Sequence, residues 1–198
     1  EPVITSPNPF AAAGGSRVQL LAGVFLELVN ALCVIGIAVY MLPIMKAFHQ
    51  KTAYGYLALR ILEAAACGLM ILCPIMALLL TDSPAGIEPA SQMTILNAAY
   101  MQRIAISTLL VPLFFSLGAM LLYSTLYRTR LLPRFIAIWG LLATVCIFAV
   151  NIINLFTRLD LVITMILALP IILNEVFMGF WLIFKGYKQP ENQIQSMQ

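Results

Sequence analysis

Apolar residues fill five long stretches of the chain, and polar residues gather in the short segments between them. Each stretch is longer than 20 residues, and about 20 apolar residues in a helix cross a hydrocarbon core of roughly 30 Å. None shows the two-residue alternation of a barrel strand, so helices are expected. The pattern predicts an all-α polytopic transmembrane helix bundle with spans at residues 18–45, 56–80, 104–127, 135–156 and 161–184.

The two ends of the chain are less apolar than the bundle. Residues 1–17 are rich in Pro, Ala and Gly and lack the order of a signal peptide, so we expect a flexible extracytoplasmic tail. Residues 18–187 form the predicted bundle, and residues 188–198 a cytoplasmic tail. Because the chain opens at Glu1 without Met, we expect that an upstream segment was removed or that the sequence is a fragment.

Composition supports a membrane location. Hydrophobic residues make up 62% of the chain and charged residues 10%, whereas about a quarter of the residues in a soluble domain are charged. The four cysteines form no CxxC pair or Cys/His cluster, so we expect small core residues, no metal site and no cofactor. They are Cys33, Cys67, Cys73 and Cys146.

Lys and Arg gather in alternate connections of the predicted bundle. Seven basic residues fall on one side and three on the other, with Arg60 set aside because it lies within a span. Loops rich in Lys and Arg stay in the cytoplasm, so the bias places the N-terminus outside the cell and the C-terminus in the cytoplasm. The seven are Lys46, Lys51, Arg128, Arg130, Arg134, Lys185 and Lys188, and the three are Arg17, Arg103 and Arg158.

Ionisable residues also lie inside the spans, where a charge costs about 2.5–3.5 kcal/mol on insertion scales. Arg60 and Glu63 are three residues apart and share a helix face, and Glu175 lies at a similar depth, roughly 8–15 Å from the cytoplasmic side. We predict that these three residues face the bundle interior as one polar cluster. Secondary polar positions are Glu27, Asn30 and Asn174.

Two interpretations of this cluster remain open. In the first, Arg60 extends toward the headgroups, and the carboxylates are protonated or paired as links between helices. In the second, the three residues line a pocket that opens to the cytoplasm and binds an ion, a proton or a polar headgroup.

The region before the third span and the prolines within spans affect helix geometry. Residues 81–92 form the longest clear loop, and residues 93–103 extend the third span into a helix of roughly 50 Å. Such a helix projects outward, tilts or breaks near Arg103, and we favour a projection or an interfacial turn.

Three prolines within spans each leave the carbonyl four residues earlier without its helical donor. Pro74 frees the Met70 carbonyl, Pro112 the Thr108 carbonyl and Pro170 the Ile166 carbonyl.

Short motifs follow one another along nearly the whole chain. They are Gly55-Tyr56…Arg60…Glu63, then Tyr127-Arg128…Leu131-Leu132-Pro133-Arg134…Trp139-Gly140, then Leu169-Pro170…Glu175…Trp181-Leu182-Ile183…Lys185-Gly186-Tyr187. In order and spacing they resemble the family of bacterial integral membrane proteins known as domain of unknown function 4386. The resemblance implies a bacterial inner membrane, six spans with a first helix that this chain lacks, and no particular reaction.

The sequence is consistent with three classes of function. We expect a noncatalytic subunit of a membrane assembly, because the loops are short and no nucleophile–base set or metal cluster occurs. The alternative is a small permease or a lipid- or ion-binding protein with a polar pocket. An intramembrane enzyme using Glu63 or Glu175 as acid or base comes third. Expected partners are membrane lipids and other transmembrane chains or copies of itself, which the small residues at 64–68 suit; nucleic acid is not expected.

The basic-residue bias generates the first prediction. A cysteine probe placed within residues 81–92 should react with a membrane-impermeant reagent added from outside, whereas one within residues 128–134 should not. The reverse labelling pattern would overturn the orientation.

Overall fold

The computed structural model describes residues 17–82, 88–157 and 159–187, and every regular element within them is helical. The all-α prediction is therefore confirmed. Of the predicted N-terminal tail, the structure describes only Arg17, where α1 begins. The predicted C-terminal tail lies outside the described residues, which end at residue 187. The helices are α1 (Arg17–Phe48), α2 (Gln50–Met70), α3 (Leu72–Asp82), α4 (Pro89–Ala105), a π-helical turn (Ile106–Leu110), α5 (Val111–Thr129), α6 (Arg134–Phe156) and α7 (Leu161–Lys185).

Five helical runs among the described residues are long and apolar enough to cross a membrane, as the hydrophobic pattern predicts. Most extend a few residues beyond the apolar stretches, because helices continue into the headgroup region, where polar side chains are hydrated. The runs are Arg17–Phe48, Gln50–Thr81, Ala90–Thr129, Arg134–Phe156 and Val162–Lys185.

The predicted loop at residues 81–92 is shorter than expected. Thr81 and Asp82 end α3, and α4 already begins at Pro89, since proline suits the first helical turn, where its missing N–H has no partner to lose. A break near Arg103, one of the three arrangements expected for the long third span, does not occur. The helix continues through Arg103 into the π-helical turn, which ends two residues before Pro112. Val111 N–H donates to the Ile106 carbonyl at the end of this turn.

The chain divides into two compact units, which we describe separately: Glu1–Ile37 with Ile61–Val111, and Ala38–Arg60 with Pro112–Gln198. In the first unit, α3 packs against α4. Pro74 interrupts the helical run between α2 and α3, and Ile71 N–H closes a tighter turn to the Gly68 carbonyl at 3.2 Å. The result is a short turn at Ile71 with helix on both sides.

The second unit contains a core in which aromatic rings and small residues alternate. Tyr56 and Tyr123 are fully buried there, beside Ala38, Ala119 and Ala137. Helix α6 packs along α7, and aromatic edges join the two helices, with ring centroids 5.7 Å apart for Phe135–Phe177 and 6.3 Å apart for Phe135–Trp181. These contacts fix the register of α7 against α6.

Gly140 on α6 is a point of close packing in the second unit. A Cβ added there would lie less than 3.0 Å from the ring of Tyr123. Because that ring is fully buried, it has no free space into which to move. Only glycine lets the Tyr123 ring lie directly on the α6 backbone.

This contact generates the second prediction. Gly140→Ala should lower the free energy of unfolding by about 1–3 kcal/mol, the usual cost of an added methyl group in a packed core, and reduce the Tm in detergent. The matched control is Gly179→Ala on α7, where an added Cβ meets no atom within 4 Å and alanine favours helix by about 1 kcal/mol. Equal Tm values for the two variants would contradict the close packing.

Candidate intramembrane polar sites

Among the described residues of the second unit, Arg60 is the most buried charged residue, with a relative exposure of 6%. Its guanidinium carbon lies 5.2 Å from the ring centroid of Phe115 and 5.4 Å from that of Tyr56. Aromatic faces attract a cation most strongly when both are removed from water. Gly118 packs beside it, since a Cβ there would lie 3.7 Å from Nε. The guanidinium is therefore held between the rings of Tyr56 and Phe115.

Glu175 reaches the same region from α7. It is half-buried, and its carboxyl group lies within Coulomb range of the Arg60 guanidinium and of the Tyr123 hydroxyl. Helix α2 begins at Gln50 rather than at residue 56, so Arg60 lies ten residues from the start of its helix, as Glu175 lies ten from Lys185. Both are thus about 15 Å from a helix end.

Asn174, a secondary position in the sequence, is central to this region. Its side chain is fully buried, and Nδ2 donates to the Ile136 carbonyl of α6 at 3.1 Å. Ile136 and Gly140 are four residues apart on α6, so Asn174 and Tyr123 contact the same helix about one turn apart. We call Tyr56, Arg60, Tyr123, Asn174 and Glu175 the second-unit cluster.

The Tyr123 hydroxyl oxygen and Asn174 Oδ1 have no hydrogen-bond partner among the described residues, and both side chains are fully buried. A buried polar group without a partner costs about 1–3 kcal/mol, so native proteins leave few of them.

Glu63, the third residue predicted for the cluster, belongs to the first unit. It is buried at 5% relative exposure and lies within Coulomb range of the Cys67 thiol one turn later on α2. Arg60 and Glu175 are brought within Coulomb range of each other. The prediction that Glu63 joins them stays a prediction.

The first unit contains a second polar site, built around Arg103. Its Nη1 donates to Glu27 Oε2 at 3.0 Å and to the Met70 carbonyl at 2.8 Å, and Nη2 donates to Glu27 Oε1. The Met70 carbonyl accepts this bond because Pro74, four residues later, has no N–H to offer it. A guanidinium fork thus satisfies a carboxylate and a freed backbone oxygen together.

This arrangement corrects the sequence analysis. Arg103 was counted among the outer-loop basic residues, but it lies within α4 and is only 15% exposed. The sequence contained a signal for such a contact: Pro74 frees the Met70 carbonyl inside a span, and a carbonyl in low-dielectric surroundings requires a donor. Asn30, one turn after Glu27, points its Nδ2 at Cys67 Sγ, 3.9 Å away.

The remaining candidate residues have local structural roles. His49 lies between α1 and α2, where its Nδ1 accepts from Thr52 N–H at 3.3 Å and lies 2.8 Å from Thr52 Oγ1, so it caps the start of α2.

Cys67 and Cys73 are buried, whereas Cys33 and Cys146 are exposed, contrary to the expected core position of all four. Within the described residues, no group of three or more His, Cys, Asp or Glu side chains could hold a metal ion.

Apolar spans with polar groups enclosed between them define this chain as an integral membrane protein. The family profile named Domain of unknown function (DUF4386) matches residues 2–186, and the chain belongs to that family. Comparisons with curated proteins and with solved structures found no match.

The Arg103 site generates the third prediction. Arg103→Met removes every donor of the side chain, so it should leave the Glu27 carboxylate and the Met70 carbonyl without their donor. It should lower the free energy of unfolding by about 1–2 kcal/mol, less than for a fully buried pair because both side chains keep some exposure. The double variant Glu27→Gln/Arg103→Met should recover part of that loss, and the control is the exposed Arg128→Met. Thermal unfolding in detergent measures both single variants, the double variant and the control, and a double variant that loses the sum of both single losses would exclude the pairing.

Proposed function

We propose that this integral membrane protein binds an ion or a small polar ligand within the membrane, at the second-unit cluster. The observation that supports the proposal is the presence of two opposite charges in the second unit, Arg60 buried between aromatic rings on α2 and Glu175 half-buried on α7. Intramembrane charges are costly and are usually retained where they contact a substrate, an ion or a proton. A small permease or a lipid- or ion-binding protein is the class that uses such a site.

The cluster has the chemical variety that a polar ligand requires. Arg60 supplies a positive charge, Glu175 a negative one, Tyr123 a hydroxyl group and Asn174 an amide oxygen. Three of these side chains are held in place by their neighbours. Aromatic rings face Arg60, the Tyr123 ring packs on Gly140, and Asn174 donates to the Ile136 carbonyl. A binding site needs such preorganisation, because ordering it at the moment of binding reduces affinity.

A ligand screen tests this proposal. We expect at least one solute or lipid headgroup to raise the Tm of the protein in nanodiscs, since a ligand that binds only the folded state stabilises it. The shift should be lost in Arg60→Gln or Glu175→Gln and kept in Arg128→Gln. The screen covers monovalent salts, anions, zwitterionic amino acids and headgroup compounds. If every shift survives both cluster substitutions, the proposed site is wrong.

A second proposed function, the noncatalytic subunit of a membrane assembly, rests on the outer helices. Within the most apolar window of each helix, only 6% of the first span and 11% of the last are buried, against 50% for the second. The small strip at 64–68 gives less support, because Ala64, Ala66 and Cys67 are already buried within the chain. We infer that α1 and α7 contact lipid and other transmembrane helices, from copies of this chain or other subunits.

The assembly proposal is tested by particle mass. Native mass spectrometry in mild detergent and light scattering of nanodiscs should give a homo-oligomer or a complex with copurifying chains. A monodisperse monomer in both media, with no copurifying chain, would exclude it.

We further propose that the protein lies in the bacterial inner membrane, with its N-terminus outside and its C-terminus in the cytoplasm. With Arg103 bonded to Glu27 inside the first unit, the loop bias supporting this orientation becomes seven basic residues against two. The correction strengthens the argument, because only residues in or near loops contribute to the orientation.

A further inference from the structure

Two basic side chains lie at the same end of the α6–α7 pair. The two helices pack along each other, and the rings of Phe135, at the start of α6, and Trp181, near the end of α7, have centroids 6.3 Å apart. The start of α6 therefore lies beside the end of α7. Arg134 is the first residue of α6 and Lys185 the last of α7, so these two exposed cations flank the same aromatic contact.

Both cations are held by the rings beside them. The Arg134 guanidinium carbon lies 5.7 Å from the ring centroid of Tyr127, and Lys185 Nζ lies 4.4 Å from that of Trp181. Such contacts attract the cation and restrict its side chain, so less ordering is needed when an anion binds. Tyr and Trp rings also favour the headgroup level of a membrane, which places both charges beside the phosphate groups.

The charge at this end of the helix pair is positive. Within the described part of the second unit, only Asp160 and Glu175 are acidic. Asp160 precedes α7, at the other end of that helix from Lys185, and Glu175 lies ten residues before Lys185, about 15 Å along the axis. Because neither carboxylate lies near the end of α7, an anionic ligand complements the two cations.

An exposed aromatic strip continues from the cations into the apolar part of the helix pair. Phe177, Trp181 and Lys185 follow one another at intervals of four residues, so they share one face of α7. The Phe177 ring centroid lies 5.7 Å from that of Phe135 and 6.1 Å from that of Trp181, and both phenylalanines are exposed. The strip therefore joins an apolar surface to a positive charge, which is the combination that a phospholipid requires.

We propose that Arg134 and Lys185 bind the phosphate group of an anionic phospholipid whose acyl chains lie on Phe135 and Phe177. Arginine forms paired hydrogen bonds with phosphate oxygens, and lysine adds a point charge. An anionic lipid fits better than a zwitterionic one, because two cations without a neighbouring carboxylate favour a net negative charge. The site shares no residue with the second-unit cluster, so this inference is independent of the proposed function.

Fluorescence of Trp181 tests the inference. Trp139→Phe leaves Trp181 as the one tryptophan of the chain, and bromine on lipid acyl chains quenches a tryptophan that the chains contact. In vesicles of equal parts phosphatidylglycerol and phosphatidylcholine, brominating the phosphatidylglycerol should quench Trp181 more than brominating the phosphatidylcholine. The difference should correspond to an about tenfold preference for the anionic lipid, as expected for two cations at the membrane surface. Each signal is normalised to unbrominated vesicles of the same composition.

A charge-matched pair of variants separates this site from general attraction between the protein and the membrane. In the same background, Arg134→Gln/Lys185→Gln should abolish most of the preference. The control Lys51→Gln/Arg128→Gln removes the same charge from two other exposed positions of the second unit and should retain the preference. Equal quenching by the two brominated lipids would overturn the inference, and an equal loss in the control would attribute the preference to net charge and overturn it too. Displacement of the lipid by an equal concentration of glycerol phosphate, which lacks acyl chains, would assign the site to a free anion instead.

Discussion

The structure depends on one constraint: inside hydrocarbon, a polar group has to find its partner within the protein. The Arg103 site shows the constraint acting on the backbone. Pro74 removes one helical hydrogen bond, and the Met70 carbonyl that loses its donor accepts from a guanidinium instead. The guanidinium brings a charge of its own, which Glu27 on α1 offsets. One proline thus explains why a basic residue and an acidic residue from distant parts of the sequence lie together within the first unit.

In the second unit, small residues let polar side chains lie between helices, where they find their partners within the protein. Glycines at 118 and 140 let Arg60 and the Tyr123 ring lie against helix backbones, and the rings of Tyr56 and Phe115 face the guanidinium. The Tyr123 hydroxyl and Asn174 Oδ1 are buried without a partner among the described residues, and each such group costs free energy unless a ligand or water completes its hydrogen bonds.

Part of each candidate site could be predicted from the sequence. Arg60 and Glu175 were selected by the cost of a charge inside an apolar span, and both lie in the second unit; that they form one polar cluster stays a prediction. Arg103 was counted with the basic residues of the outer side, because it precedes the apolar stretch that begins at residue 104, whereas its guanidinium donates to Glu27 and to the Met70 carbonyl within the first unit. Asn174 was only a secondary position, since its importance comes from contact with α6, 38 residues earlier.

The sequence by itself determined the number, type and approximate limits of the membrane helices. Each depends on the apolar content of one continuous segment, and the backbone of such a segment satisfies its own hydrogen bonds as a helix whatever its neighbours are. Only the tertiary structure decided which polar groups meet. The pairing of Glu27 with Arg103, the packing of Tyr123 on Gly140 and the bond from Asn174 to Ile136 all join different helices. Their partners are set by helix rotation and register, which depend on side-chain packing between segments and leave no periodic signal within any one of them.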